Sequence, residues 1–313
     1  MRAIAEAPGK VIISGEHFVV HGGLALAAAI DRGTRAEAVT HDGLVVETGL
    51  HGRHAPRRSL PFPVERVIAG LYRERSIEPR VRLRIASQLP AGSGLGSSAS
   101  TMMAGVAAVS QLEGWDLDPK ALIQAAMVGE QMIHGNPSGI DPTVSALGGV
   151  LQFRMGEDPR VVHLPTPAKL LVAYSGTKRS SGKLIHKVSS MGNVYPHLFK
   201  RLCDSATLIT EETTRMLSSG NLEGLGELMT YNHAVLGMVG ASTPALDQLV
   251  DLCISCGCYG AKLTGAGGGG SVLAIPPKGE EAETVARLSK QGFGSFVTEI
   301  PCGGVRTWTD WGR

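Results

Sequence analysis

The stretch Leu89-Pro-Ala-Gly-Ser-Gly-Leu-Gly-Ser-Ser-Ala-Ser100 constrains this chain more than any other. Gly92, Gly94 and Gly96 alternate, so the backbone can take φ > 0 at every second residue and approach an anion with no Cβ in the way. Ahead of it, Val81-Arg-Leu-Arg-Ile-Ala-Ser87 alternates apolar and polar residues as a strand does, and Pro90 ends the run. Behind it, Ser97 and Ser98 open a helix of small residues, Ala99 to Leu112. That order aims unpaired N–H groups and the positive end of a helix dipole at the turn. Either a phosphate sits there or the turn is a plain helix entry. Two phosphate loops are excluded by spacing. The dinucleotide fingerprint needs its third glycine one residue later, and the P-loop of nucleoside triphosphatases needs Lys and Ser/Thr after the last glycine.

At 313 residues the chain has room for two domains, and 43% hydrophobic content is ordinary for a globular protein. A net charge of +2 and only 4% aromatics exclude a nucleic-acid surface built on bulk charge and base stacking. No apolar run approaches the roughly 18 residues of a membrane span, and Met1 to Pro8 lacks a secretory core. These features predict a soluble cytoplasmic protein. Five cysteines, an odd number in a long chain, read as free thiols. Cys253, Cys256 and Cys258 have no second pair or adjacent histidine with which to bind zinc.

Two prolines and a charge cluster around Phe153 to Pro167 place a boundary between domains 1–165 and 166–313. In the first, Ala7 to Gly23 reads as strand, tight turn and strand, followed by strand-like Leu24–Ile30 and Arg35–Thr48. Extended chain sets His17 and His21 about 13 Å apart, too far for one metal ion. Gly49 to Pro63 reads as a surface loop, and Pro63 to Arg75 carries a helical apolar stripe. Asp118-Pro119 opens a helix through Ile133. The second domain reads as strand 169–174, a cationic loop 175–183, helices 194–219, 222–239 and 244–255, strand 272–275, helix 280–291 and a final strand 294–300. This is an α+β arrangement.

Three polar groups stand out. Glu16 and His17 beside Gly15 either face a ligand or form a solvated edge. Glu130, near a helix C-terminus where the dipole disfavours it, either meets a cation or faces solvent. Asp141, between Gly139 and Pro142, either faces a substrate or caps the next helix. Lys262-Leu-Thr-Gly-Ala-Gly-Gly-Gly-Gly270 also needs explaining, since four consecutive glycines between ordered segments imply a very close neighbour.

Ala7-Pro-Gly-Lys10 with Gly15-Glu16-His17, the loop Pro90 to Ala99, and Lys262 to Gly270 together resemble the three motifs of the GHMP small-molecule kinases. Within that superfamily, Gly129-Glu130 to Asp141 and Ala261 to Gly270 are most similar to the family that phosphorylates mevalonate. The resemblance covers about Ala7 to Val305. It implies an α+β two-domain GHMP kinase fold, with an N-terminal domain like ribosomal S5 domain 2 and a ferredoxin-like C-terminal domain. It also implies ATP on Pro90, Gly92, Ser93, Gly94, Leu95, Gly96, Ser97, Ser98 and Ala99, and Mg²⁺ on Ser98 and Glu130. Asp141 and Lys10 would be catalytic, and Glu16, His17 and Gly139 would contact mevalonate. Ser180 or Ser181 stands near a position where the family has a threonine facing the phosphates. A homodimer is implied by the same analogy. Galactokinase shares Gly-Glu-His but continues differently from Phe18-Val-Val-His21. Phosphomevalonate kinase, a related decarboxylase and a silent sensor on the same fold are the other readings.

Overall fold

The computed structural model describes residues 1–50, 53–54, 63–90, 92–135, 137–177 and 181–311. The chain builds β1 (Arg2–Ser14), β2 (Ala25–Thr40), β3 (Gly43–Leu50), β4 (Arg53–His54), α1 (Pro63–Glu74), β5 (Arg80–Ser87), α2 (Ser97–Glu113), α3 (Pro119–His134), α4 (Ile140–Leu147), β6 (Val150–Phe153) and β7 (Arg160–Val161). It continues with β8 (Ala168–Tyr174), α5 (Ser181–Val194), α6 (Pro196–Ser219), α7 (Leu222–Met238), α8 (Pro244–Ser255), β9 (Gly260–Thr264), β10 (Ser271–Ile275), α9 (Glu281–Lys290), β11 (Ser295–Ile300) and β12 (Arg306–Asp310). No helix among the described residues is long and apolar enough to cross a membrane.

The strands form two sheets. The first runs β12-β1-β2-β5-β3-β4, with β6 pairing the early part of β2 and β7 pairing β6. Among the described residues the β3–β5 pair is its one parallel pair. The second is antiparallel, in the order β11-β8-β10-β9. One face of the first sheet packs under α1 and α2: Ala3, Ala5, Ala7, Ala36 and Ala38 meet Val64, Ile68, Met103 and Val106. Alanines on the strands let the helices sit close, which suits the small-residue helix α2.

A β-bulge decides where Lys10 points. Pro8 pairs with Gly33, but Gly9 pairs with Ile30, so the register of β1 and β2 slips there. Asp31 and Arg32 are left over on β2, a two-residue shift that alone would keep the faces, and the exchange of faces follows from the irregular backbone at the bulge. Before it Ala3, Ala5 and Ala7 face the helices; after it Val11 and Ile13 face the second sheet, packed on Leu170, Val172 and Leu273. Lys10 thereby turns to the helix side, toward α4. The bulge needs glycine on both strands. A Cβ on Gly33 would lie 2.1 Å from Ala7 O, and one on Gly9 would lie 2.7 Å from Leu89 Cδ1. The second sheet is covered on its other face, where Leu171, Ala173, Val272 and Ala274 meet Leu246, Leu249 and Cys253. Cys253, Cys256 and Cys258 lie in this core as buried thiols, and burial pushes the Cys258 thiol up to about 12.

The structure corrects four readings of the sequence. Phe18 to His21 is a turn of 3₁₀ helix rather than a strand, bracketed by left-handed residues at His17 (φ 63°) and Gly22 (φ 84°), with Phe18 fully buried. Arg35–Thr48 falls in two strands, with the break at His41 and Asp42 just before Gly43 (φ 76°). Helix α5 precedes the helix expected from Val194, which begins at Pro196. Ser295–Ile300 is not the last strand, because β12 follows and pairs with β1, Arg2 opposite Asp310. Most of the loop 49–63 and part of the loop 175–183 lie outside the described residues, Ser180 included, as does the Ser181 side chain.

Helix α7 crosses β9 at closest approach where Gly226 meets Gly260, and a Cβ on Gly260 would lie 1.8 Å from Gly226 O. Gly260→Ala is expected to destabilise the protein by about 2–4 kcal/mol. Denaturant unfolding checks this: the midpoint should fall while the slope is unchanged.

Candidate active site

Lys10 emerges from β1 just past the bulge. Its Nζ lies 3.1 Å from Asp141 Oδ1 and donates to Gly94 O at 3.2 Å, while its backbone N–H donates to Leu95 O at 2.9 Å. The strand is thus tied to the glycine loop through both main chain and side chain. Asp141 occupies the first turn of α4, which begins after left-handed Gly139 (φ 83°). The Asp141 side chain keeps 28% of its surface exposed and that of Lys10 only 4%, so a ligand reaches the pair from the carboxylate side.

The glycine loop has the conformation its sequence implies. Gly92, Gly94 and Gly96 have φ of 75°, 86° and 72°. Alternating left-handed residues gather backbone N–H groups into a concave anion site, and Gly96 leads directly into α2, so the free N–H groups of its first turn join them. Gly96 also abuts the charged pair: a Cβ there would lie 3.0 Å from Lys10 Cγ and 3.6 Å from Asp141 Oδ2. Ser93 is buried, and its Oγ has no hydrogen-bond partner among the described residues. An anion in the cradle would supply the missing acceptor. Leu95 is fully buried in the core between the sheets and anchors the loop.

Glu130, one turn from the end of α3, is buried beside Ser98, Asp141 and Lys10. Burial pushes its carboxyl up to about 7, the charge of Asp141 adds to this, and the Ser98 hydroxyl and Lys10 oppose it. A divalent cation would relieve that cost. Among the described residues no three His, Cys, Asp or Glu side chains gather as a metal cage. A Ser hydroxyl and one carboxylate, completed by phosphate oxygens and water, are a fitting donor set for Mg²⁺.

The other predicted acceptor contacts are placed differently. Glu16 is turned inward onto Lys262, with 1% and 0% of the two side chains exposed. Lys262 also donates to Leu263 O at 2.7 Å and Ile12 O at 3.4 Å. Burial favours the neutral form of each partner and their attraction opposes it. His17 Nε2 bonds Ala266 O at 2.9 Å, fixing the turn after β1 to the third glycine cluster. That cluster has its close neighbours within the protein: a Cβ on Gly267 would lie 2.1 Å from Ala241 O, and one on Gly270 would lie 3.0 Å from Ser93 O. Ser271 Oγ donates to Ser93 O at 2.8 Å. The role of Lys262 was missed in the sequence, where the signal was a lysine between Ala261 and Leu263 in a buried run.

Fold and site together define a GHMP kinase. The families described as GHMP kinases N terminal domain and GHMP kinases C terminal match residues 63–149 and 212–292, and a galactokinase galactose-binding signature matches residues 2–39. The mevalonate kinase of Aeropyrum pernix is 37% identical, covering 95% of this chain and 96% of that one. The Thermococcus sibiricus mevalonate kinase is 32% identical, with 98% of both chains covered. A crystal structure of L. major mevalonate kinase in complex with R-mevalonate superposes with a TM-score of 0.81, at 28% identity and 94% coverage of both chains. The chain belongs to the mevalonate kinase family.

Two outcomes are expected. The folded protein holds the Glu130 proton up to about pH 7, whereas an unfolded chain releases it near 4.5, so this group lowers stability as pH rises through that window. Glu130→Gln should therefore stabilise metal-free protein at pH 8 by at most about 3 kcal/mol, read as a higher melting temperature, and the gain should vanish near pH 4.5. Lys262→Met, which strands a buried carboxylate, should cost about 3–5 kcal/mol, and adding Glu16→Gln should recover most of it. Chemical denaturation of the three proteins measures this.

Proposed function

We propose that this chain transfers the γ-phosphoryl group of ATP to the 5-hydroxyl of mevalonate, giving 5-phosphomevalonate for isoprenoid biosynthesis. The observation that carries the reading is the Lys10–Asp141 pair set against Gly96 of the anion cradle, which brings an activating carboxylate next to a phosphate site. Phosphoryl transfer has a loose transition state, so positioning and charge stabilisation supply most of the catalysis. In the loop Pro90 to Ala99, backbone N–H groups from Gly92 onward and the Ser93 hydroxyl hold the phosphates. Ser98 and Glu130 would hold Mg²⁺, which neutralises phosphate charge when bound. Asp141 accepts or orients the proton of the attacking hydroxyl, and Lys10 stabilises the oxygen as its charge develops. The acceptor enters on the exposed side of Asp141, with His17 and the Gly139 turn as its flanks. Glu16, buried on Lys262, supports that wall from behind.

The match to a galactose-binding signature at residues 2–39 makes galactose the informative competitor. A coupled ADP-release assay with Mg²⁺ compares mevalonate, 5-phosphomevalonate and galactose. Turnover is expected with mevalonate, and Asp141→Asn should reduce kcat by about 10²–10⁴-fold with substrate binding largely kept. Turnover with galactose or 5-phosphomevalonate alone would overturn the substrate and leave the phosphate site standing.

A further inference from the structure

Strand β9 is the edge of the second sheet, so its outward backbone groups need partners that no strand supplies. At Leu263 two side chains provide them. The N–H donates to His233 Nδ1 at 3.3 Å, and the carbonyl accepts from Lys262 Nζ at 2.7 Å. His233 comes from α7, and its side chain is 12% exposed. Because Nδ1 is an acceptor, the ring proton sits on Nε2, which donates to Asp247 Oδ1 at 3.1 Å in the first turn of α8. Ser242 Oγ donates to the same oxygen.

This chain of contacts ends at the phosphate loop. Ser242 follows Ala241, whose carbonyl accepts from Gly268 N at 3.0 Å and leaves no room for a side chain at Gly267. Gly270 and Ser271, at the other end of the same turn, press on Ser93. We propose that His233 is a positioning residue for the nucleotide phosphates: in its neutral form it closes the edge of β9 and, through Asp247, Ser242 and Ala241, braces the glycine turn that backs Ser93. His233 touches no reacting group. The proposal rests on the reading that Pro90 to Ala99 holds ATP.

Protonation reverses one link. With both ring nitrogens protonated, Nδ1–H opposes Leu263 N–H and the edge bond is lost. The charged groups facing the ring are Asp247 and Asp251 from α8, which favour the cation, and Lys262 from β9, which disfavours it. Burial is the largest influence and lowers the pKa below its usual value, so the edge bond is kept at neutral pH and lost on the acid side. Asn places an acceptor near the Nδ1 position without titrating, whereas Phe supplies none.

The test uses the full-length enzyme and its His233→Asn and His233→Phe variants. The first readout is hydrogen exchange of the Leu263 amide. Exchange should stay slow in wild type and His233→Asn at pH 7.5 and quicken by about tenfold or more in His233→Phe. The second is ADP binding and the KM for ATP between pH 5 and 8. The KM should rise about five- to tenfold in His233→Phe at pH 7.5 with kcat changed less than about twofold. Part of the wild-type rise toward pH 5 should disappear in His233→Asn. A Leu263 amide equally protected in all three proteins, or an unchanged KM in His233→Phe, overturns the proposal. An acid limb identical in wild type and His233→Asn does so as well. Absence of ADP binding in wild type would instead overturn the phosphate-loop reading, independently of the Leu263 exchange result.

Discussion

Everything at the site hangs on how two sheet edges meet. The outer edge of β1 pairs with β12 from Arg2 to Glu6, and beyond the bulge it has no neighbouring strand among the described residues. The edge of β9 is open as well. The protein joins them with side chains instead of a backbone ladder. Thr264 Oγ1 accepts from Ile12 N at 3.0 Å and donates to Ile12 O at 3.1 Å, Lys262 adds its bond to Ile12 O, and the buried Glu16–Lys262 pair closes the joint. A ladder tolerates sliding by two residues, but these contacts have one register. Lys10 stands two residues from Ile12, so its position inherits that precision.

A buried ion pair seldom adds much net stability, because two charges leave water to make it. Its presence here fits a demand for geometry. The same hairpin, β9 and β10, fixes β1 through Lys262 and Thr264 and fixes the glycine loop through Ser271. The separation between the Lys10–Asp141 pair and the anion cradle is therefore set by one rigid element reaching across from the other sheet.

The sequence reveals these parts unevenly. The glycine loop is legible because glycine spacing is a backbone property that one chain segment carries complete, and the φ values at Gly92, Gly94 and Gly96 follow from it. Asp118-Pro119 is legible for the same reason: the Asp118 cap to Ala121 N is local. Glu130 and Asp141 are legible as polar residues in odd places, but their meeting with Ser98 and Lys10 depends on how α2, α3 and α4 stack. Glu16 shows the limit. Beside Gly15 it reads as either a presented carboxylate or part of a solvated edge, and only the approach of a strand almost 250 residues later turns it inward. The 3₁₀ turn at Phe18 was hidden by β-branched neighbours whose strand propensity loses to burial of Phe18 against Phe199.

The return of β12 to β1 has a consequence for how the molecule is assembled. All other strands of the first sheet are contained in residues 2–161, yet that sheet keeps an unpaired edge at Arg2 to Glu6 until residues 306–310 have been synthesised. The second sheet, with its helices, is spliced into the first as a long excursion between β7 and β12. The active-site strand β1 is thus clasped at both ends by late-made chain, at one end by β12 and at the other by β9. A ribosome-bound fragment comprising the first half alone has Lys10 joined to Asp141 and to the glycine loop at Gly94 and Leu95, but lacks the Thr264 and Lys262 bonds that fix β1 at Ile12.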